Sequence, residues 1–480
     1  MILLLIISIF LFITFSIYAP ASMSHTTVFY VLCYNLFILI AFFSLKEKVL
    51  DLKSKLLKHS NLFLVGFVIV FFQYHIDYYL GNLDQSLTFI WVNPEIVMKS
   101  LFISSIGMYS FMLGYLLISI KNQKHTFYQK KLEYRKTFFL EFISLGLLVL
   151  YFLNANPVYF FNGYGKFPLG AISEYIIVLF NCVIFAILIQ KSINQRIDSK
   201  DVTTFKRFLL NLGILPIVLA GIYLLSVLLS GDRGPLMVYG IITLALYFYV
   251  SKKKLKLRNF LIMLYCGAFI ITFLGKVRAL DSRLTIKERG NQVLNEKKES
   301  RFGSESFLPS TQNLASSIMC LHHAVDYVPS KHDYTFGRFQ YQQVTSVIPF
   351  SSHVNRLLFS NNHWKYNSSA DFITWRHQGE FPWSGDGTSV VSDFYLDFGV
   401  FGVILGLFFI GNIFRRSELI LYYNNQGYSL FGLTMSIILL STAVYISRGA
   451  FFVNFKMVLW TYFFLIVNKK VLIKHNRNNY

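Results

Sequence analysis

Four cations in this chain stand where apolar sequence gives way and a fifth lies within an apolar run, and their types suit the binding of a multiply charged oxyanion. Arg233 lies in VLLSGDRGPLMVYG (227–240), a tight turn between two runs apolar enough to enter a membrane. Lys276 and Arg278 lie in GKVRALDSR and Arg448 in YISRGAFF, with Lys456 about two turns further on, about 12 Å along a helix axis. In the first turn, Gly231 and Gly234 permit positive backbone dihedrals and Pro235 suits the first position of a helix. A helix starting there aims its N–H groups and positive dipole end at the ligand side. An arginine beside it can hold two phosphate oxygens at once, which lysine cannot. The chemistry these residues suggest is phosphate or pyrophosphate binding, with Asp232 beside it. Two plainer uses stand next to it: an Arg233–Asp232 pair, or snorkelling to lipid phosphates. Lys456, in the body of an apolar run, needs a partner or a wet cavity. A buried carboxylate or backbone carbonyls would serve equally.

Carboxylates and imidazoles supply candidates for proton transfer. Asp393 and Asp397 are four residues apart in SDFYLDFGVFG, on one face of a helix. They could balance the cations, one could be a base, or they could favour a helix N-terminus, the role expected of Asp397. The stretch 276–393 carries His322, His323, His332, His353, His363 and His377, with Trp364, Trp375 and Trp383. His353 or His377 could accept a proton near neutral pH. The tryptophans could stack on the apolar faces of sugar rings or lie in an interfacial belt. No HExxH spacing and no thiol pair occurs in this stretch, so no metal is expected. There is no P-loop and no DxD motif either, so no cofactor is expected.

The elements that must position these residues follow from composition. Of 480 residues 54% are hydrophobic, with 50 Phe and a mean hydropathy of +0.50. That is beyond an ordinary soluble domain, and long apolar runs recur from end to end, which predicts an all-α polytopic membrane protein. Twelve spans are expected near 1–18, 27–45, 62–80, 100–120, 137–153, 172–190, 208–229, 235–250, 259–275, 394–414, 428–444 and 451–468. Basic residues fill alternate connections, from Lys46–Lys58 to Arg415–Arg416 and the tail, and account for 27 of the 45 Lys and Arg. The positive-inside rule then places both termini in the cytoplasm. The same distribution explains the net charge of +21 without nucleic acid. Span one, with no basic n-region, is read as a helix and not as a cleaved signal. Three parts follow: 1–275 with spans one to nine, an extracytoplasmic loop domain over 276–393, and 394–480 with spans ten to twelve and a cytoplasmic tail. The loop carries thirteen Lys and Arg, but loops this long escape the charge rule. The four cysteines imply no disulfide framework.

SGDRGPLM joining two spans, followed much later by GDGTSVVSDFYLDFGVFGVILGLFFIG, resembles the bacterial Wzy-type O-antigen and capsule repeat-unit polymerases. The match is strongest over 224–250 and 384–415, and the span layout with its large loop agrees. The resemblance implies a GT-C-like fold in the bacterial cytoplasmic membrane. It also implies polyprenyl-pyrophosphate-linked oligosaccharides as substrates, and a chain-length-regulating co-polymerase as a candidate partner beside the bilayer itself. It points to arginines for catalysis, at positions fitted here by Arg233 and Arg448; family members often carry Glu where Asp393 stands. An R-x10-G pattern described for some of these polymerases is met by Arg376 and Gly387, a spacing that about one chance match would also supply.

The expected reaction moves a growing glycan from polyprenyl pyrophosphate onto a second lipid-linked repeat. Arg233, Arg278 and Arg448 would hold the leaving pyrophosphate, with Asp393 or a loop histidine as base. Lys276, Asp232, Lys456, Arg376 and the three tryptophans would bind substrate. An O-antigen ligase would share the donor chemistry. Another GT-C glycosyltransferase would take one sugar from a polyprenyl monophosphate. A repeat-unit flippase would want the cations along a path open to both leaflets.

Overall fold

A computed structural model describes the chain apart from residues 21, 50–57, 84–92, 118–132, 161–168, 199–203, 233, 252–257, 259–305, 350, 360–362, 423–428 and 478–480. Every regular element among the described residues is helical. Apolar segments that meet hydrocarbon must satisfy their own N–H and C=O groups, and a helix does so within one segment. The first nine helices are α1 (Ile2–Ile17), α2 (His25–Val49), α3 (His59–Tyr79), α4 (Pro94–Leu117), α5 (Phe138–Asn154), α6 (Ala171–Ile197), α7 (Phe205–Leu212), α8 (Ile214–Ser230) and α9 (Gly234–Ser251). The loop segment holds α10 (Ile318–Tyr327), α11 (Arg338–Thr345), α12 (Ser351–Leu358) and α13 (Ser369–Gln378). The chain closes with α14 (Val390–Tyr422), α15 (Leu430–Ile446) and α16 (Asn454–Arg477). Among the described residues six helices, α2, α3, α4, α6, α9 and α14, are long and apolar enough to cross a membrane. The bent pair α7–α8 makes a seventh if it is one broken span, and α1, α5 and α15 are shorter apolar helices. The span expected over 259–275 lies outside the described residues.

Three expectations are corrected. The span placed at 208–229 is broken: α7 and α8 meet at 97°, at Gly213, whose φ of 86° ends one helix and starts the next. Lys206 and Arg207 therefore belong to a short separate helix and not to the foot of a span. Lys456 is not two turns deep, because residues 447–453 form turns and α16 starts only at Asn454. Arg415 does not end its span. α14 runs on to Tyr422, and Arg415, 3% exposed, lies over the Tyr115 ring at 5.1 Å.

Two groups of helices share α15. α4 packs between α1 and α14, with α3 alongside on α15. α5, α6, α8, α9 and α16 form the second group, and α15 touches α9 and α16. α4 and α14 cross backbone to backbone: a Cβ on Gly114 would overlap the Phe408 carbonyl, and one on Gly411 the Phe111 carbonyl. Small residues at such a crossing are how helices gain contact where lipid offers no hydrophobic drive. At one end of this contact Glu418 accepts hydrogen bonds from Ser60 N (2.8 Å), Ser60 Oγ (2.6 Å) and the Tyr115 hydroxyl, tying α3, α4 and α14 together.

α14 is not one straight rod. Phe398 (φ −143°, ψ 20°) and Gly399 (φ 60°, ψ −148°) leave the helical region. The carbonyls opened there, Leu396 O and Asp397 O, accept from Thr335 N (3.0 Å) and Phe336 N (3.1 Å). The loop segment thus takes over hydrogen bonds that the broken helix cannot make. α10 completes the attachment by packing on α4, α13 and α14.

Candidate functional site

α13 is N-capped by Ser368 of SSAD. Ser368 Oγ accepts from Asp371 N (3.1 Å) and donates to Asp371 Oδ2 (2.8 Å). Its last turn carries Arg376, His377 and Gln378, and the chain turns back through Gly385-Asp386-Gly387 to enter α14. Asp386 N donates to Thr374 Oγ1 (3.0 Å), which holds that turn against α13. His377 Nδ1 lies 2.9 Å from Asp386 Oδ2, and Gln378 Nε2 donates to the same oxygen at 3.0 Å. A carboxylate can only accept, so Nδ1 carries the hydrogen and Nε2 is the basic atom of the ring. Sequence inspection missed Asp386, because its nine-residue spacing from His377 matches no helix or strand period. Only the turn brings the two together.

His323 of α10 packs on the His377 ring with centroids 4.8 Å apart. It is 7% exposed, and neither ring nitrogen has a hydrogen-bond partner. Burial pushes it down to about 3, helped by His377, His322 and Arg376, with Asp326 opposing, so it is neutral wherever the protein works. Cys320, one turn earlier, is pushed up to about 12 by burial, Asp386 adding to the rise and Arg448 opposing it. Cys320 Sγ also donates weakly to the Asp386 carbonyl at 3.7 Å, which ties α10 to the Asp386 turn. Arg448 itself is exposed, on the turn after α15, and Val390 N donates to Ser447 O (3.3 Å) to tie that turn to the start of α14.

The other expected site residues separate into groups. Arg233, Lys276 and Arg278 lie outside the described residues, as does the side chain of His353, whose backbone is in α12. Asp232 Oδ1 accepts from Gly234 N (3.0 Å) and so caps the start of α9. Lys456 is half-buried over the Tyr175 ring at 4.8 Å. Arg376 Nη2 pairs with Asp326 Oδ2 at 2.8 Å, and Lys331 Nζ lies 3.5 Å from the same oxygen. Burial would raise the Asp326 carboxyl, but these two cations more than offset it and hold it below the usual range. Trp364 and Trp375 turn their indole N–H groups to Glu380 at 3.3 and 2.8 Å, with Lys365 Nζ over the Trp375 ring at 3.7 Å. Trp383 is 77% exposed.

The two aspartates of α14 hold the loop segment. Asp393 is fully buried. Its carboxylate accepts from Ser369 Oγ (2.6 Å), from Gln340 Nε2 (2.8 Å) and, at both oxygens, from Gln343 Nε2 (2.9 Å). No cation faces it among these contacts, and no oxygen is presented to a substrate hydroxyl. Asp397 accepts from Gln340 N (3.0 Å), Phe339 N (3.3 Å) and the Thr335 hydroxyl. It caps α11, and not the start of its own helix as expected. Among the described residues no three His, Cys, Asp or Glu side chains gather as a metal-binding group.

What the site assembles is an imidazole oriented by a carboxylate, a neutral imidazole against it, and an arginine on the neighbouring turn. That set can take a proton from a hydroxyl and steady a negative charge nearby. No curated protein and no solved structure matches the chain. The family described as O-antigen polysaccharide polymerase Wzy matches residues 2–476, nearly the whole length, and the chain belongs to that family.

Proposed function

We propose that the protein polymerises lipid-linked oligosaccharide repeat units at the extracytoplasmic face of the cytoplasmic membrane, with polyprenyl pyrophosphate as the leaving group. The observation that carries the reading is the His377–Asp386 pair on the loop segment, with Arg448 on the turn that Ser447 ties to the start of α14. His377 Nε2 takes the proton of an acceptor sugar hydroxyl as that oxygen attacks C1 of the donor glycan. The C1–O bond to pyrophosphate breaks, the new glycosidic bond forms, and Asp386 steadies the imidazolium. The leaving group departs as polyprenyl pyrophosphate, its charge met by Arg448 together with Arg233 and Arg278. A GT-C-like arrangement of twelve spans, with both termini cytoplasmic and residues 276–393 as the extracytoplasmic domain, completes the reading.

The base is His377 in preference to Asp393, whose oxygens are occupied by buried amide and hydroxyl donors. Purified protein incubated with lipid-linked repeat units tests this directly. His377→Ala and Asp386→Asn are expected to slow the appearance of a ladder by about 100-fold or more, with normal membrane insertion. Wild-type laddering by His377→Ala would remove it from the base role. Arg448→Lys keeps the charge but loses the two-pronged grip, and is expected to lower turnover as well.

A further inference from the structure

The segment that joins α13 to the Asp386 turn, QGEFPWSGDG (378–387), carries two large aromatic side chains that are largely exposed. Phe381 is 95% exposed and Trp383 77%. Aromatic surface left uncovered is a binding surface when the backbone that carries it is held in place. This loop is held open. Gln378 Oε1 accepts from Trp383 N (3.0 Å) and Ser384 N (3.3 Å), and its Nε2 donates to Ser384 O (2.8 Å). Gly379, with φ 82° and ψ −155°, makes the sharp departure from α13 that this bracing requires. The same Gln378 Nε2 donates to Asp386 Oδ2, the oxygen that orients His377. One side chain therefore fixes both the aromatic loop and the proton-accepting pair.

We propose that Phe381 and Trp383 form a platform on which a sugar ring of the repeat unit stacks, set at a fixed distance from His377 by Gln378. The inference rests on the polymerase reading and names the glycan subsite of that same site. Sugar rings have apolar C–H faces that match indole and phenyl faces, and hydroxyl edges that match carboxylates and amides. Glu380, next to Phe381, is half exposed; the Trp375 N–H above all, with those of Trp364 and His363, holds its carboxyl below the usual range and keeps it an acceptor. A lipid-headgroup anchor would have the opposite charge pattern. Residues 378–387 contain two acids and no base, which anionic phosphates repel. Trp364 and Trp375 bind Glu380 through their indole N–H groups and Lys365 covers the Trp375 ring, whereas Trp383 is the most exposed of the three tryptophans.

The test separates glycan binding from turnover. The repeat-unit oligosaccharide, released from its lipid by mild acid, is titrated onto the full-length protein in nanodiscs and followed by saturation-transfer NMR. Phe381→Ala and Trp383→Ala are expected to weaken binding about ten-fold each, the loss of one stacking face. Trp383→Tyr, which keeps an aromatic face and guards against a folding artefact, stays within about three-fold of wild type. His377→Ala binds like wild type while losing the ladder, so a failure of the base assignment leaves the binding result intact. Wild-type affinity in both alanine variants overturns the platform. So does quenching by brominated phosphatidylglycerol that vanishes in Trp383→Phe, because it would place the indole in lipid.

Discussion

Gln343 Nε2 reaches both oxygens of Asp393 while its own Oε1 accepts from Phe452 N (3.3 Å), so this amide cannot turn over to suit a neutral partner. Replacing Asp393 by Asn would set an NH2 against donors from Gln340, Gln343 and Ser369 in a site closed to water. An unmet buried donor costs about 1–3 kcal/mol. Asp393→Asn is therefore expected to lower the thermal midpoint of the protein in detergent, and any loss of polymerisation should follow that loss of fold. Unchanged thermal stability with abolished laddering would return Asp393 to chemistry. His323 makes the second residue-scale prediction. Its ring is pushed down to about 3 in the folded protein, from an ordinary value near 6.5 in the unfolded chain. Between those values the unfolded state binds the extra proton, so stability is full above about pH 6.5 and falls as the pH drops. The slope approaches about 1.4 kcal/mol per pH unit. His323→Gln, which has no such proton to bind, should flatten the thermal midpoint between pH 6.5 and 5 relative to wild type; an identical slope would mean the ring is not buried neutral.

At the level of elements, the break in α14 positions the site. Gly399 holds a backbone conformation essentially reserved for glycine, and a Cβ there would lie 2.8 Å from the Tyr334 hydroxyl. Gly399→Ala adds about 1–3 kcal/mol of backbone strain to that collision. It should lower the thermal midpoint and loosen the loop segment, because residues 335 and 336 pair with the carbonyls the break exposes. Faster hydrogen exchange confined to α10, α11 and α13 is the expected signature; uniform exchange behaviour would show that the break is incidental. The break was hidden in the sequence, since LDFGVFGVILG reads as continuous apolar helix and glycine alone is tolerated within spans. The bend at Gly213 was hidden for the same reason. By contrast, the four-residue spacing of Asp393 and Asp397 did show that both share a face. What it could not show was the object of that face, the amides and hydroxyls of residues 335–369, because those contacts span 24 to 62 positions of chain.

As a member of the O-antigen polymerase family whose described helices include several apolar enough to cross a bilayer, the protein is a multi-pass membrane protein. Hydropathy was legible over most of the chain because membrane helices announce themselves in composition. Pairing was not, because a row of leucines and phenylalanines fits many neighbours. α15 shows the difference: it reads as an ordinary apolar run, yet it touches α3, α9, α14 and α16 and joins both helix groups. Orientation rests on charge alone, and it decides whether His377, Asp386 and Arg448 meet substrate in the extracytoplasmic space. A fluorescent protein fused after Tyr480 should fold and glow in the cytoplasm, while alkaline phosphatase inserted at Ser330, on an exposed turn of the loop segment, should be active. Moving charge tests the cause as well as the result. Neutralising Lys252, Lys253, Lys254, Lys256 and Arg258 together removes five of the cations that hold one connection inside, and should lower phosphatase activity at position 330. A dark cytoplasmic fusion with an inactive phosphatase would invert the whole arrangement and put the His377 pair on the side where nucleotide sugars are made.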